Sequence, residues 1–189
     1  MKLHIQLIEK HLAAGEAFTP TGHTALWAQN GNGFYAAPNQ SIDQCEDSTL
    51  LCFHFARHPA PDHAILATTC DWPSGECILR LDTVTFPAGA IAYRHVHAGA
   101  GTRYLLRGGL EIRDDDHVEH MLPGDAWFEG ANSPVRATAM DGETSQFIRA
   151  MVLPLEFEGK PTITFLNSDD FDKPKLQTNH RFFDQRITL

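Results

Sequence analysis

From Cys77 onwards, apolar and polar positions alternate in short runs of strand length. The runs are Ile78 to Phe86, Ile91 to His97, Thr102 to Leu106, Leu110 to Arg113, His117 to Leu122, Ala126 to Phe128, Val135 to Ala139 and Phe147 to Leu153. Pro-Ala-Gly, Gly-Gly, Asp-Asp-Asp, Pro-Gly-Asp and Asp-Gly-Glu separate them. Runs of this length between turn residues predict an antiparallel sandwich or barrel, and no strand–helix alternation suggests a parallel sheet. Upstream, Leu3, Leu7, Ile8 and Leu12 stand near helical spacing with Gly15 after them, which predicts a short N-terminal helix. Glu16 to Asp47 reads as loop and short extended pieces, and Leu50 to Phe55 as a strand. The expected division is a helix and extended arm over 1–49, a barrel over 50–155 and a C-terminal arm over 156–189, with one strand at Thr162 to Leu166.

Composition narrows the classes. The 189 residues are 42% hydrophobic and 21% charged, enough to bury one core. A formal net charge of −9 with no Lys/Arg cluster argues against nucleic acid and anionic membranes as partners. The first ten residues hold no apolar run of signal-peptide length, and no stretch reaches membrane-spanning length, so a cytoplasmic protein is expected. Cys45, Cys52, Cys70 and Cys77 lack the spacing of a zinc ribbon or a redox pair and are expected as reduced thiols.

Candidate chemistry centres on His95-Val96-His97. Residues two apart on a strand share a face, so both imidazoles project together as paired nitrogen donors. Borderline metals accept such donors. Tyr93 has the same parity and is expected to line the same cavity, as is Trp127. Arg103, on the adjoining strand at inward parity, would clamp a substrate carboxylate or pair with Glu129. His54 reads as a core residue, and Asp114 to Asp116, with His117 and His120 beyond, as a solvated turn. There is no nucleophile elbow, Walker loop or dinucleotide fingerprint.

These residues resemble the cupin superfamily. Gly89, His95, His97 and Tyr104-Leu105-Leu106-Arg107-Gly108 resemble its first motif, and Leu122-Pro123-Gly124-Asp125-Ala126-Trp127-Phe128 resembles its second. The resemblance covers about Thr83 to Val152 and implies an all-β, RmlC-like jelly-roll barrel, the double-stranded β-helix, with extensions that pair two copies into a homodimer. The family's metal-binding glutamate falls at Gly101 or Thr102, and its second-motif histidine near Pro134 or Val135, so two of four ligand positions lack a donor. The resemblance implies a divalent metal, Fe, Zn, Ni or Mn, on His95 and His97, with Glu129 the local candidate for a third ligand. On this footing the leading expectation is a protein that binds a small, anionic molecule in its barrel, with a metal-dependent dioxygenase or lyase as the nearest enzymatic analogy. The alternatives are a metal-free binding or sensing module, and a metal-independent epimerase or isomerase with His95 as base.

Overall fold

A computed structural model describes all residues, 1–189. Its strands are β1 (Lys2–Leu12), β2 (Ala17–Phe18), β3 (His23–Ala28), β4 (Gly33–Ala36), β5 (Ile42–Asp43), β6 (Ser48–Ala56), β7 (Leu66–Asp71), β8 (Glu76–Phe86), β9 (Ile91–His97), β10 (Ala100–Arg107), β11 (Leu110–Arg113), β12 (Val118–Met121), β13 (Ala126–Glu129), β14 (Val135–Ala139), β15 (Ser145–Leu153), β16 (Ile163–Phe165) and β17 (Thr178–Thr188). Only two single-turn helices occur, Leu155–Phe157 and Ser168–Asp170, and no helix is long and apolar enough to cross a membrane.

Strands β8 to β15 form two facing antiparallel sheets. One runs β13-β10-β15-β8 and the other β12-β11-β14-β9, with β17 and β16 added at the edges beside β8 and β9. This interleaved order is the jelly roll. Alternation sorts each strand: on β15, Phe147 faces the barrel interior while Ile148, Ala150 and Val152 face outward. The outward residues are buried as well, because a third sheet, β4-β3-β6-β1-β7, lies over them. Leu3, Ile5, Leu7, Phe53 and Phe55 of that sheet pack against Leu79, Leu81, Ile148 and Val152 of the barrel.

The predicted N-terminal helix is strand β1. Leu3, Ile5 and Leu7 face the barrel, while Ile8 and Leu12 face the opposite side with Leu26, Leu50 and Cys52. A strand buried on both faces loses its clean alternation, and the two interleaved sets fall near helical spacing. Leu50 to Phe55, expected in the barrel, lies in β6 between β1 and β3 of the covering sheet.

The N-terminal half repeats the order of the barrel. The sequence β1-β6-β3-β4 matches β8-β15-β10-β13, the pair β2·β5 matches β9·β14, and β7 edges β1 as β17 edges β8. Strands β11, β12 and β16 have no counterpart there. With its second sheet reduced to two strands of two residues each, this smaller unit encloses only about 60 Å³. Its cavity borders Cys52, whose thiol burial pushes up to about 12, and His54, whose Nε2 has no partner.

Because the covering sheet and the barrel share one apolar interface, they should unfold together. Phe53→Ala should cost roughly 3–5 kcal/mol, the usual range for emptying a buried phenylalanine site. Denaturation followed by tryptophan fluorescence, which includes Trp127 inside the barrel, and by far-ultraviolet circular dichroism should give one coincident, shifted transition; a first transition confined to the N-terminal sheet would contradict it.

Candidate functional site

The barrel interior holds a cavity of about 330 Å³. One end is apolar, with Val84, Phe86, Ile112, Val135 and Phe147. The other carries a row of charge at one level of the sheet: Arg103 stands opposite Arg149 across β10 and β15, Arg149 opposite Asp82 across β15 and β8, and Asp82 opposite Arg181 across β8 and β17. Alternation turns all four toward the interior, and all four line the cavity with Arg80, Lys175 and Glu129. The cavity wall is therefore rich in cations although the whole chain carries a net charge of −9.

Each carboxylate here already has a cation. Asp82 accepts from Nε and Nη2 of Arg149 at 2.6 and 3.1 Å. Glu129 Oε2 lies 2.7 Å from Nη2 of Arg103, an ion contact too bent to count as a hydrogen bond, and Oε1 accepts from Trp127 Nε1 at 2.9 Å. Asp184 accepts from Arg80 Nε at 2.6 Å, and Arg80 also donates to the carbonyls of Phe157 and Lys160. Burial alone would raise the Asp184 carboxyl; the Arg80 hydrogen bond and Gly159 N–H hold it below its usual value. These bonds strap the C-terminal segment across the barrel, where Thr162, Phe165, Gln177 and Arg181 complete the cavity wall. The arm thus packs on its own barrel.

Arg103 is 1% exposed, and burial lowers its pKa to about 10, with Glu129 opposing and Arg149 adding to the shift. Like charges directly opposite on neighbouring strands repel. Nη1 of Arg103 donates to Gly101 O at 2.6 Å, while Nη2 has no hydrogen-bond partner.

The two histidines share the problem. His95 Nδ1–H donates to Tyr93 O at 2.6 Å, which leaves Nε2 bare. That nitrogen lies 3.2 Å from Nε2 of His97, itself 3.3 Å from Nη1 of Arg149. Arg149 can only donate. If His97 Nε2 accepts from it, two imidazole lone pairs face each other; if His97 Nε2–H donates to His95, an N–H faces the guanidinium. An outside acceptor that draws off Arg149 Nη1 resolves the conflict: His97 donates to His95, and the Thr162 hydroxyl, 3.1 Å from His97 Nδ1, donates to that nitrogen. Burial lowers both imidazole pKa values, that of His97 further, and Arg149 and Arg103 push the same way.

His95, His97, Arg103, Trp127 and Glu129 all line the cavity. Tyr93 does not. Val135 pairs with His95 but Ala137 with Ala92, so Tyr93 and Arg94 together face the single residue Arg136. Such a bulge flips parity and turns Tyr93 outward, where Lys173 lies 5.0 Å from its ring. His117 and His120 are exposed, and Asp114 Oδ1 caps the turn by accepting from Asp116 and His117 N–H.

The strand order is that of the jelly roll, and the His-Val-His strand lies second in it, facing inward. The barrel has the cupin fold. No protein-family profile matches the sequence, and no curated protein does. Among solved structures the chain is similar to an RmlC-like cupin from Shewanella frigidimarina, with 19% identity over 46% of this chain and 83% of that one and a TM-score of 0.37. It is also similar to a polyketide cyclase from Streptomyces resistomycificus (21% identity, 49% and 66% of the two chains, TM-score 0.40). A third is a variant salicylate 1,2-dioxygenase from Pseudoaminobacter salicylatoxidans (9% identity, 78% and 71%, TM-score 0.46). These are likenesses of fold; the chemistry rests on the residues of this chain alone.

The donor set does not fit a resident divalent metal. A Cβ built at Gly101, one of the two positions that the resemblance gives to a glutamate, would meet Ala150 O at 2.0 Å, so no side chain fits there. Thr102, the other, has outward parity. Val135, opposite His95 and facing the cavity, stands near the expected second histidine. Glu129, the expected third ligand, holds Arg103 and Trp127 instead. No three His, Cys, Asp or Glu side chains converge to hold a metal, and a guanidinium stands 3.3 Å from one of the two imidazoles.

Arg80, Asp82 and Arg149 carry a sequence signal of their own: charges at i, i+2 within the apolar run Cys77 to Phe86 and a single charge within Phe147 to Leu153. Charge at buried strand parity marks a polar interior. Nothing local singled out Gln177 or Arg181.

His23, His54, His95 and His97 all have pKa values lowered first by burial. The folded state then binds fewer protons than the unfolded one below the ordinary value of 6.5, so the stability from neutral imidazoles is complete above it and lost as pH falls. The urea midpoint should fall on acidification from about pH 7 to about pH 5.5. His97→Asn should flatten that dependence; equal slopes in both proteins would contradict it.

Proposed function

We infer that this protein binds a small organic carboxylate in its barrel, without a resident metal, and that the guanidinium groups of Arg103 and Arg149 receive it. The observation that carries the reading is the pair itself: two buried arginines opposed across neighbouring strands on the inner face, one of them with an Nη2 that makes a bent ion contact with Glu129 but no hydrogen bond. A carboxylate between them converts repulsion into charge-assisted hydrogen bonds, each worth roughly 1.5–3 kcal/mol. It also relieves the Arg149 contact on His97. The apolar end of the cavity suits a hydrocarbon body, and the volume suits a metabolite-sized molecule.

A second reading is favoured by one observation. His95 Nε2 carries no proton because Nδ1 is committed to Tyr93 O, so it is a base for metal-independent isomerisation or epimerisation of a bound carboxylate wherever His97 does not donate to it. That chemistry needs an acid across the cavity, and the outward turn of Tyr93 removes the nearest phenol. Binding or sensing of the carboxylate is the reading adopted.

Calorimetric titration with benzoate and with benzamide, which has the same shape without the charge, tests it. Benzoate should bind and raise the melting temperature by mass action, and benzamide should not. Arg103→Lys should weaken benzoate by about tenfold or more, since a single mobile ammonium replaces a planar fork. Should that variant fold poorly, the paired change Arg103→Met with Glu129→Gln removes both charges and should abolish binding in folded protein. Equal binding of acid and amide, or full affinity in either variant, would overturn the reading.

A further inference from the structure

Six buried side-chain nitrogen or oxygen atoms lack a hydrogen bond, and three of them line this one cavity: Arg103 Nη2, which has only its bent ion contact with Glu129, and Gln177 Oε1 and Arg181 Nε. A buried polar atom left unpaired costs about 1–3 kcal/mol, so three around one space mark the outline of something polar that fills it. The first belongs to the barrel. The other two belong to the C-terminal segment, where Gln177, Asn179 and Arg181 share parity and face the cavity at successive inward positions.

The chemistry of this second set differs from that of the first. Arg181 shares the Asp184 carboxylate with Arg80, its Nη1 donating there at 3.3 Å and its Nη2 to Lys160 O at 3.4 Å, so Nε is the one directed donor it has left. Gln177 Oε1 is an acceptor. A lone acceptor and a lone donor, set along one extended segment and away from the Arg103 and Arg149 pair, do not call for a second carboxylate. They match hydroxyl groups, which donate and accept at once.

We propose that the ligand is a hydroxylated carboxylate and that the C-terminal segment selects it, Gln177 accepting from a ligand hydroxyl and Arg181 Nε donating to a hydroxyl oxygen. This rests on the carboxylate reading above and adds the identity of the far end. The acid group lies on Arg103 and Arg149, the carbon body against Phe86 and Phe147, and the hydroxyl edge along β17. A site built to bond a hydroxyl discriminates against the analogue lacking it, because the protein's own polar atoms are then left unpaired.

The test uses matched probes on the full chain: benzoate against 4-hydroxybenzoate, hexanoate against 6-hydroxyhexanoate, and gluconate, each titrated calorimetrically into wild type, Gln177→Leu and Arg181→Met. At least one hydroxylated member should bind fivefold or more tightly than its parent, and that preference, taken as the ratio of the two affinities in the same protein, should shrink to under twofold in Gln177→Leu. Melting temperatures confirm that each variant is folded, and Arg181→Met should repeat the loss if Gln177→Leu does not fold. Equal affinity within every pair, gluconate failing to bind as well, or a preference that survives both substitutions, overturns the proposal and leaves the carboxylate reading standing. Failure of every carboxylate to bind overturns both.

Discussion

Two guanidinium groups facing each other inside a barrel set the terms for the rest of this structure. Arg103 and Arg149 stand in register on β10 and β15, and neither can leave, because each belongs to a strand whose other face is sealed under the N-terminal sheet. Their charge has to be met from within. Asp82 and Glu129 each take one guanidinium, and Trp127 fixes the second oxygen of Glu129. What the carboxylates leave unsatisfied, an Nη2 in bent ion contact with Glu129 but without a hydrogen bond and an Nη1 pressed on a histidine, is what the proposed ligand would engage. Removing either carboxylate would strand a buried cation, so Asp82 and Glu129 act through the arginines rather than on a ligand directly.

The layered architecture explains why a charged interior is tolerated. The barrel sheet is buried on both faces, with the covering sheet supplying an apolar interface that leaves the inward face free to be polar. That covering sheet repeats the strand order of the barrel with the β11 and β12 hairpin absent, and with that loss its own cavity has closed to about 60 Å³. One jelly-roll order thus serves twice in this chain, once as a container and once as a lid for the outer face of the other.

Much of the barrel was legible in the sequence because its strands are short, bounded by turn residues and, on several, alternating. The same signal failed for β1, where burial on both faces mixed the two parities into an apparent helix. At the site, inward parity placed His95, His97 and Arg103 on the cavity. Tyr93 broke the rule because a bulge inserts one residue into β9, which no local signal announced. The arginines of β8 and β15 were visible as isolated charges in apolar runs, but their meaning depends on register between strands far apart in sequence. Gln177 and Arg181 came to the cavity through a long-range pairing of β17 with β8 that composition cannot encode.

The central claim is that protein cations and a bound anion stand where the cupin resemblance implies a metal. Titration of the protein, stripped with chelator and re-equilibrated, with cobalt(II) and with zinc(II), followed by absorption spectroscopy and calorimetry, tests it most directly. The account predicts no stoichiometric binding at the barrel and no difference between wild type and the His95→Ala, His97→Ala double variant. One ion per chain with a cobalt ligand-field spectrum, lost in that double variant, would contradict it.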